Sequence, residues 1–133
     1  MRNRLATSMA VMALISTSVL GSTTALGDEM VTPLLKQAIQ DGMEVNILRI
    51  EAEAGFETES HLHPGHVFIY VLEGTVELVV DGEDTVRLSA GEAGYEQPNK
   101  PMVGRNASST DGVSAIIFQI GEAGKPLQVD QPK

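Results

Sequence analysis

From Glu44 onward, the pattern of hydrophobic and polar residues is typical of short β-strands. EVNILRIEAEAG alternates imperfectly and ends at Gly55, whereas HVFIYVLEG is a continuous apolar run that ends at Gly74. TVELVV and DTVRLSAG flank the pair Asp81-Gly82, and an Asp-Gly pair between alternating runs is a strong hairpin signal. VSAIIFQI predicts a last buried strand, followed by a polar tail.

Short strands at regular intervals predict an all-β fold, either a sandwich or a barrel. Before these strands, VTPLLKQAIQDG has Pro33 at a favourable first helical position and Gly42 as a stop, so we expect at most one short N-terminal helix or turn. No internal repeat or low-complexity segment is present. We therefore expect one domain over residues 28–133, with a core at about 44–120.

The first 27 residues are typical of a secretory signal peptide. Residues 1–4 are basic, LATSMAVMALISTSVLG is uncharged, and small residues precede Asp28. A membrane anchor is the alternative, but residues 5–21 are short of the roughly 20 apolar residues that a span needs. We expect cleavage before Asp28 or after Ala25, and a periplasmic or secreted protein.

Charge restricts the partners. Nine Lys and Arg residues stand against 18 Asp and Glu residues, which gives a formal net charge of −9. Such a field repels nucleic acid and an anionic membrane surface, so we expect neither as a partner. The chain has no Cys, so no thiolate is available as a nucleophile or metal ligand.

All three histidines lie in HLHPGH, residues 61–66. Residues two apart in a strand share a face, so His61 and His63 can direct both imidazoles to one point. Two neutral nitrogen donors about 2.0–2.1 Å from one ion are what a metal requires. The Pro-Gly pair resets the strand, and the pattern leaves open whether His66 points to the same place. The cluster predicts a metal centre.

The segment GFETESHLHPGHVFIYVLEG, residues 55–74, resembles the first motif of the cupin superfamily, and GEAGYEQPNKPMVGRN, residues 91–106, is similar to the second. Pro98 stands one position later than the Pro of the second motif. The resemblance is to small exported bacterial cupins. It implies a cupin double-stranded β-helix, or jelly-roll, barrel that holds a divalent transition metal, typically Fe, Mn, Ni, Zn or Cu.

The resemblance carries over only part of the family's ligand set. His61 and His63 match the two histidine ligands of the first motif, but the motif's Glu falls on Val67 and the second motif's His falls on Met102. Two of the four usual ligands are therefore absent. Met102 is a soft thioether donor that suits Cu(I), or simply an apolar residue of the barrel lining.

Related small cupins have a His where His66 stands and a Glu where Glu96 stands, which implies that both are candidate replacements. As a ligand, Glu96 supplies a hard oxygen, and as a general base it acts beside the metal. It is otherwise one of 18 acids on an acidic protein. We take Glu96 as the candidate catalytic residue and His61, His63 and His66 as candidate metal ligands.

Two functions follow from these observations. The first is a metal-dependent enzyme that acts on a small organic molecule as a dioxygenase, isomerase or decarboxylase. The alternative is a non-catalytic cupin that binds or senses a small ligand and retains a vestigial metal site, since fold does not fix chemistry. Exposed barrel edges also suggest a homodimer.

The signal peptide is tested on the native protein. N-terminal sequencing should return Asp28 or a residue close to it, and the protein should be recovered outside the cytoplasm, since the uncharged segment directs export. A native chain that begins at Met1 or Arg2 would contradict the expectation.

Overall fold

The computed structural model describes residues 29–131, so the predicted signal peptide lies outside the described residues. This part of the chain forms two five-stranded antiparallel sheets, which we call the long sheet and the short sheet. In chain order the strands are β1 (Glu29–Ala38), β2 (Met43–Ala52), β3 (His61–Leu62), β4 (His66–Glu73), β5 (Thr75–Val80), β6 (Val86–Ser89), β7 (Ala93–Glu96), β8 (Met102–Asn106), β9 (Val113–Glu122) and β10 (Val129–Asp130).

The chain passes repeatedly between the two sheets. The long sheet has the order β1-β2-β9-β4-β7, and the short sheet has the order β10-β3-β8-β5-β6. At the corner between β4 and β5, Gly74 has φ +77°, and a Cβ there would lie 2.7 Å from the Gly112 carbonyl oxygen. Only glycine fits this corner, because it tolerates positive φ and carries no Cβ. The all-β jelly roll predicted from the sequence is confirmed.

The prediction of a short helix or turn within residues 31–42 is wrong for most of that segment. Residues up to Ala38 belong to β1, which pairs with β2 along its length, and only a 3-10 turn, Gln40–Gly42, follows. Pro33 is accommodated because β1 is an edge strand with a bulge between Pro33 and Leu35. The helix signals reflect the local conformational preference of this segment. The pairing of β1 with β2 overrides that preference. Within residues 29–131, no helix is long and apolar enough to cross a membrane.

The core lies between the sheets and consists mainly of small and β-branched residues. In β4 the buried positions alternate with exposed ones, so Val67, Ile69 and Val71 point inward. Fully burying a side chain of this size contributes roughly 1.5–3 kcal/mol. The buried cluster contains Ala52, Ile69, Val71, Val76, Leu78, Leu88, Met102, Val113 and Ala115.

Candidate functional site

A cavity of about 250 Å³ lies between the two sheets. Its wall is mainly apolar but includes nine polar or charged residues, and four of them form the candidate site. Of these, His61, Glu96 and Gln119 are buried, and His63 is partly buried. The apolar wall is formed by Leu48, Ile50, Phe56, Val67, Ile69, Val76, Leu78, Met102, Val113 and Ile117, among others.

The structure brings His61 and His63 together at this cavity. Their ring centroids are 4.9 Å apart and their planes are nearly perpendicular. The Nδ1 atom of His61 lies 2.9 Å from the Glu59 carbonyl oxygen, and that of His63 lies 2.7 Å from the Leu127 carbonyl oxygen. Because a carbonyl only accepts, Nδ1 is the donor in each of these hydrogen bonds, so the lone pair of the unprotonated ring lies on Nε2.

Glu96, at the end of β7, completes the polar group. Its Oε2 lies 3.3 Å from His63 Nε2 and has no hydrogen bond of good geometry within the described part of the chain. Burial raises the pKa of Glu96 to about 7. Burial also lowers the pKa of His63, against the effect of the Leu127 carbonyl. Both shifts favour the neutral form of the group concerned, which is a protonated carboxyl for Glu96 and an unprotonated ring for His63.

Strand register places Glu96 beside the position at which the cupin motif has its Glu. Val67 on β4 is paired with Glu96 on β7 and with Gln119 on β9, so it lies between two buried polar side chains. On the short sheet, Met102 is paired with His61 and is also buried at the cavity wall. Both usual ligand positions thus face the cavity, but both are apolar.

Two contributions to the site were missed by sequence reasoning. Gln119 lies inside VSAIIFQI, which was predicted to be a last buried strand, and a polar residue in a buried strand was the available signal. The Leu127 carbonyl lies in the polar tail and accepts hydrogen bonds from both Gln119 Nε2, at 3.0 Å, and His63 Nδ1. No sequence signal marks a backbone carbonyl 64 residues away from its histidine.

His66 does not join the cluster, which corrects its assignment as a third ligand. Its side chain is exposed on the outer face of β4, where Nδ1 lies 2.7 Å from the Tyr95 hydroxyl and the rings stack. The cause is the close packing of Gly65, where a Cβ would lie 2.5 Å from the Ile120 carbonyl oxygen. This contact fixes the start of β4, with His66 paired with Ile120 on the outer face.

Comparison with known proteins identifies the family. The family model for the cupin domain matches residues 48–118, which is more than half of the chain. The chain belongs to the cupin domain family. Among solved structures, a cupin-like protein from Thermotoga maritima is 18% identical, with a TM-score of 0.65 over 80% of this chain and 78% of that one.

Two further structures are similar to this cupin. An RmlC-like cupin family protein with a double-stranded β-helix fold, from Methanocaldococcus jannaschii, is 16% identical, with a TM-score of 0.61 over 83% of this chain and 94% of that one. The DMSP lyase DddQ from Ruegeria pomeroyi is 20% identical, with a TM-score of 0.58 over 65% of this chain and 43% of that one, so this chain spans less than half of the lyase. No curated protein matches the chain. At these identities the likeness shows the fold alone.

The donor chemistry of this cupin fits a transition metal only in part. Two imidazole Nε2 atoms and one buried carboxylate are suitable donors, and the Nδ1 bonds to backbone carbonyls are those that metal-bound histidines usually make. Within residues 29–131, however, no three His, Asp or Glu side chains form a group that could hold a metal ion. The side chains as placed are therefore not a complete metal site.

Replacing Glu96 by Gln should remove one component of the pH dependence of stability. The folded state keeps the Glu96 proton up to about pH 7, whereas the unfolded chain loses it near the ordinary glutamate pKa of 4.5. The stabilisation is therefore complete below pH 4.5 and is lost as the pH rises through 7, by at most roughly 3 kcal/mol. Urea unfolding of both proteins from pH 4.5 to 8 measures the difference.

The difference between the two proteins isolates Glu96, because His63 is present in both. Glu77→Gln is the control, since the hydrogen bond from Arg105 lowers the pKa of Glu77 below its ordinary value of 4.5. The contribution of Glu77 is lost only below that pH, so the difference between wild type and Glu77→Gln should stay nearly constant from pH 5.5 to 8. A stability difference between wild type and Glu96→Gln that stayed constant with pH would contradict the assignment of a protonated, buried carboxyl.

Proposed function

We propose that this cupin binds a small uncharged organic molecule in its cavity, with a hydrogen-bonding group of the ligand directed at His61, His63 and Glu96. The observation that supports the proposal is the group His61, His63 and Glu96, which we call the polar end, in a mainly apolar cavity of about 250 Å³. Ligand pockets commonly combine apolar walls with a few converging polar groups. Apolar protein cavities of roughly 150 Å³ already bind molecules of the size of benzene.

The charges around the cavity favour an uncharged ligand. Arg105 is the one Lys or Arg among the described residues of the lining. Its Nε donates to Glu77 at 2.6 Å, and its Nη1 lies 3.8 Å from the Glu57 carboxylate. An anionic ligand would find no free cation in this lining and would meet Glu29 at its exposed edge.

The same polar end can perform acid–base chemistry. Glu96 and His63 provide a proton donor and a proton acceptor that lie 3.3 Å apart and face the cavity. A pair with a carboxyl pKa of about 7 is suited to proton transfer at neutral pH. Of the three reaction types considered from the sequence, an isomerisation by proton transfer is the one that these residues support without a further group.

Benzyl alcohol and benzoate test the proposal, because they share a ring and differ in charge. At pH 7.5, benzyl alcohol should shift the methyl NMR signals of Val67 and Met102, with a Kd of roughly 1 mM for a ligand of this size. Benzoate should bind at least about tenfold more weakly, since no free cation faces it.

Val67→Phe, which fills the cavity, should abolish the benzyl alcohol shifts. Val86→Phe is the matched control, because Val86 is exposed on β6, and it should leave the binding unchanged. Circular dichroism establishes that both variants are folded. Tighter binding of benzoate would refute the charge argument, and no binding of either compound would refute the cavity as a site for such molecules.

Metal binding is the second candidate, and the Nδ1 bonds of both histidines favour it. These bonds leave Nε2 of His61 and His63 free to hold Fe, Mn, Ni, Zn or Cu, with Glu96 as the oxygen donor. A bound metal would supply Lewis-acid or redox chemistry at the polar end of the cavity. Metal binding would require the side chains of His61, His63 and Glu96 to move closer together than they lie in this structure.

Calorimetric titration of untagged protein with Zn²⁺ and the other first-row ions tests the second candidate. His61→Ala or His63→Ala should abolish stoichiometric binding, whereas His66→Ala should not change it, because His66 lies on the outer face. Met102→His should tighten binding by restoring a donor beside His61. The affinity should fall as the pH drops through roughly 6.5, since protonated imidazole cannot ligate. Absence of binding by every ion would eliminate this candidate.

A further inference from the structure

A second cavity, of about 400 Å³, adjoins the first one. Its lining is more polar, because it includes Glu44, Asn46 and Gln119, each less than one-tenth exposed. Asn46 Nδ2 donates to Glu44 Oε1 at 3.1 Å, and Lys36 Nζ lies 3.3 Å from the same oxygen. We call this cavity the polar chamber; its other lining residues are Pro64, Gly65, Asn99, Gly121, Glu122, Lys125, Pro126, Leu127 and Val129. The polar chamber takes no part in the proposed function.

Gln119 lies at the boundary between the two cavities, both along its own strand and across the sheet. In β9, Ile117 lines only the first cavity and Gly121 lines only the polar chamber. Across the sheet, Gln119 is paired with Val67, which lines only the first cavity. On its other side it is paired with Asn46, which lines only the polar chamber. The Gln119 side chain therefore separates the two cavities on the long sheet.

A hydrogen bond completes this separation on the opposite side. Gln119 Nε2 donates to the Leu127 carbonyl oxygen at 3.0 Å, which connects β9 to the C-terminal segment. In that segment, Pro126 lines only the polar chamber and Gln128 only the first cavity, with Leu127 between them. The same carbonyl accepts from His63 Nδ1 at 2.7 Å, so the wall adjoins the polar end. Among the described residues, Gln119 and Leu127 are the two that line both cavities.

We propose that Gln119 is a specificity-determining residue of this cupin, because its side chain ends the first cavity and excludes ligands that extend past the polar end. The inference rests on the proposed function, in which the ligand directs a hydrogen-bonding group at His61, His63 and Glu96. Since the wall adjoins these side chains, that group must be at the end of the ligand. The ligand class is therefore an uncharged, mainly apolar molecule with a terminal polar group, such as a primary alcohol.

A ligand that extended past the polar end would have to displace the Gln119 amide. This residue is 3% exposed, so a displaced amide would lose its bond to the Leu127 carbonyl in a place where little water can replace it. Such a loss corresponds to a decrease in affinity of about tenfold or more. If the wall were absent, a polar tail on the ligand would enter the polar chamber and meet Asn46 and Glu44, whose side chains can form hydrogen bonds with it.

Benzyl alcohol and benzyl glyceryl ether test the inference, because they share a benzyl group and an oxygen and differ in the polar tail beyond that oxygen. At pH 7.5, wild type should bind the ether at least about tenfold more weakly than the alcohol, measured on the methyl NMR signals of Val67 and Met102. Gln119→Ala removes the wall and should bind the ether at least as tightly as the alcohol. This result is a gain of binding, which an unfolded variant cannot produce.

Asn46→Ala is the matched control, because it also removes a buried amide from the row that contains Gln119, but on the far side of the wall. It should keep the wild-type preference for benzyl alcohol. Gln119→Ser provides a second short side chain if Gln119→Ala does not fold, and circular dichroism establishes the folding of each variant.

The outcomes distinguish this inference from the proposed function. Binding of the ether to wild type within tenfold of the alcohol would overturn the inference and leave the proposed function intact. The inference would also be overturned if Gln119→Ala and Gln119→Ser still excluded the ether, or if Asn46→Ala admitted it. A wild type that bound neither compound would refute the proposed function, and the inference with it.

Discussion

The register of β4 between β9 and β7 is the constraint on which the rest of this structure depends. Because successive residues of a strand face opposite sides, one pairing fixes both surfaces of the long sheet. It directs Val67 into the cavity between Glu96 and Gln119, and it directs Phe68 to the outer face of the sheet. A shift of β4 by one residue would turn Val67 outward and Phe68 into the cavity, so that Val67 would no longer lie between Glu96 and Gln119. The contact at Gly65 limits such a shift, because it sets where β4 begins.

The strands could be predicted from the sequence because their signals are local. Alternation, the Asp81-Gly82 hairpin and the histidine spacing each depend on residues close together in the chain, and the fold that they predicted is the fold observed. The N-terminal segment was misassigned because its helix signals are also local, whereas its pairing with β2 is not. The position of His66 depended on the backbone of Ile120, and the tautomer of His63 depends on the carbonyl of Leu127. Such long-range contacts leave no pattern in neighbouring residues.

At the polar end of the cavity, burial disfavours the charged forms of Glu96 and His63, so both groups favour their neutral forms. A carboxylate in an apolar wall is costly unless a cation or several donors compensate it. Glu96 has a partly buried imidazole at 3.3 Å and no cation beside it that any of its contacts shows, and burial raises its pKa to about 7. His63 is likewise less basic because it is buried. A cavity with this polar end offers hydrogen bonds to a ligand without a strong field.

The two apolar substitutions in the family's ligand set are consistent with this neutrality. A Glu at position 67 would be the cross-strand neighbour of Glu96, with Cβ atoms about 4.5–5.5 Å apart. Two buried carboxylates at that distance could not both ionise without a cation between them. With Val67 in place, one carboxyl remains and can stay protonated without a counter-ion. Met102 in turn leaves His61 without a second imidazole beside it on β8. Both changes therefore reduce the need for a metal to balance the site, which favours the uncharged ligand over the metal as the occupant of this cavity.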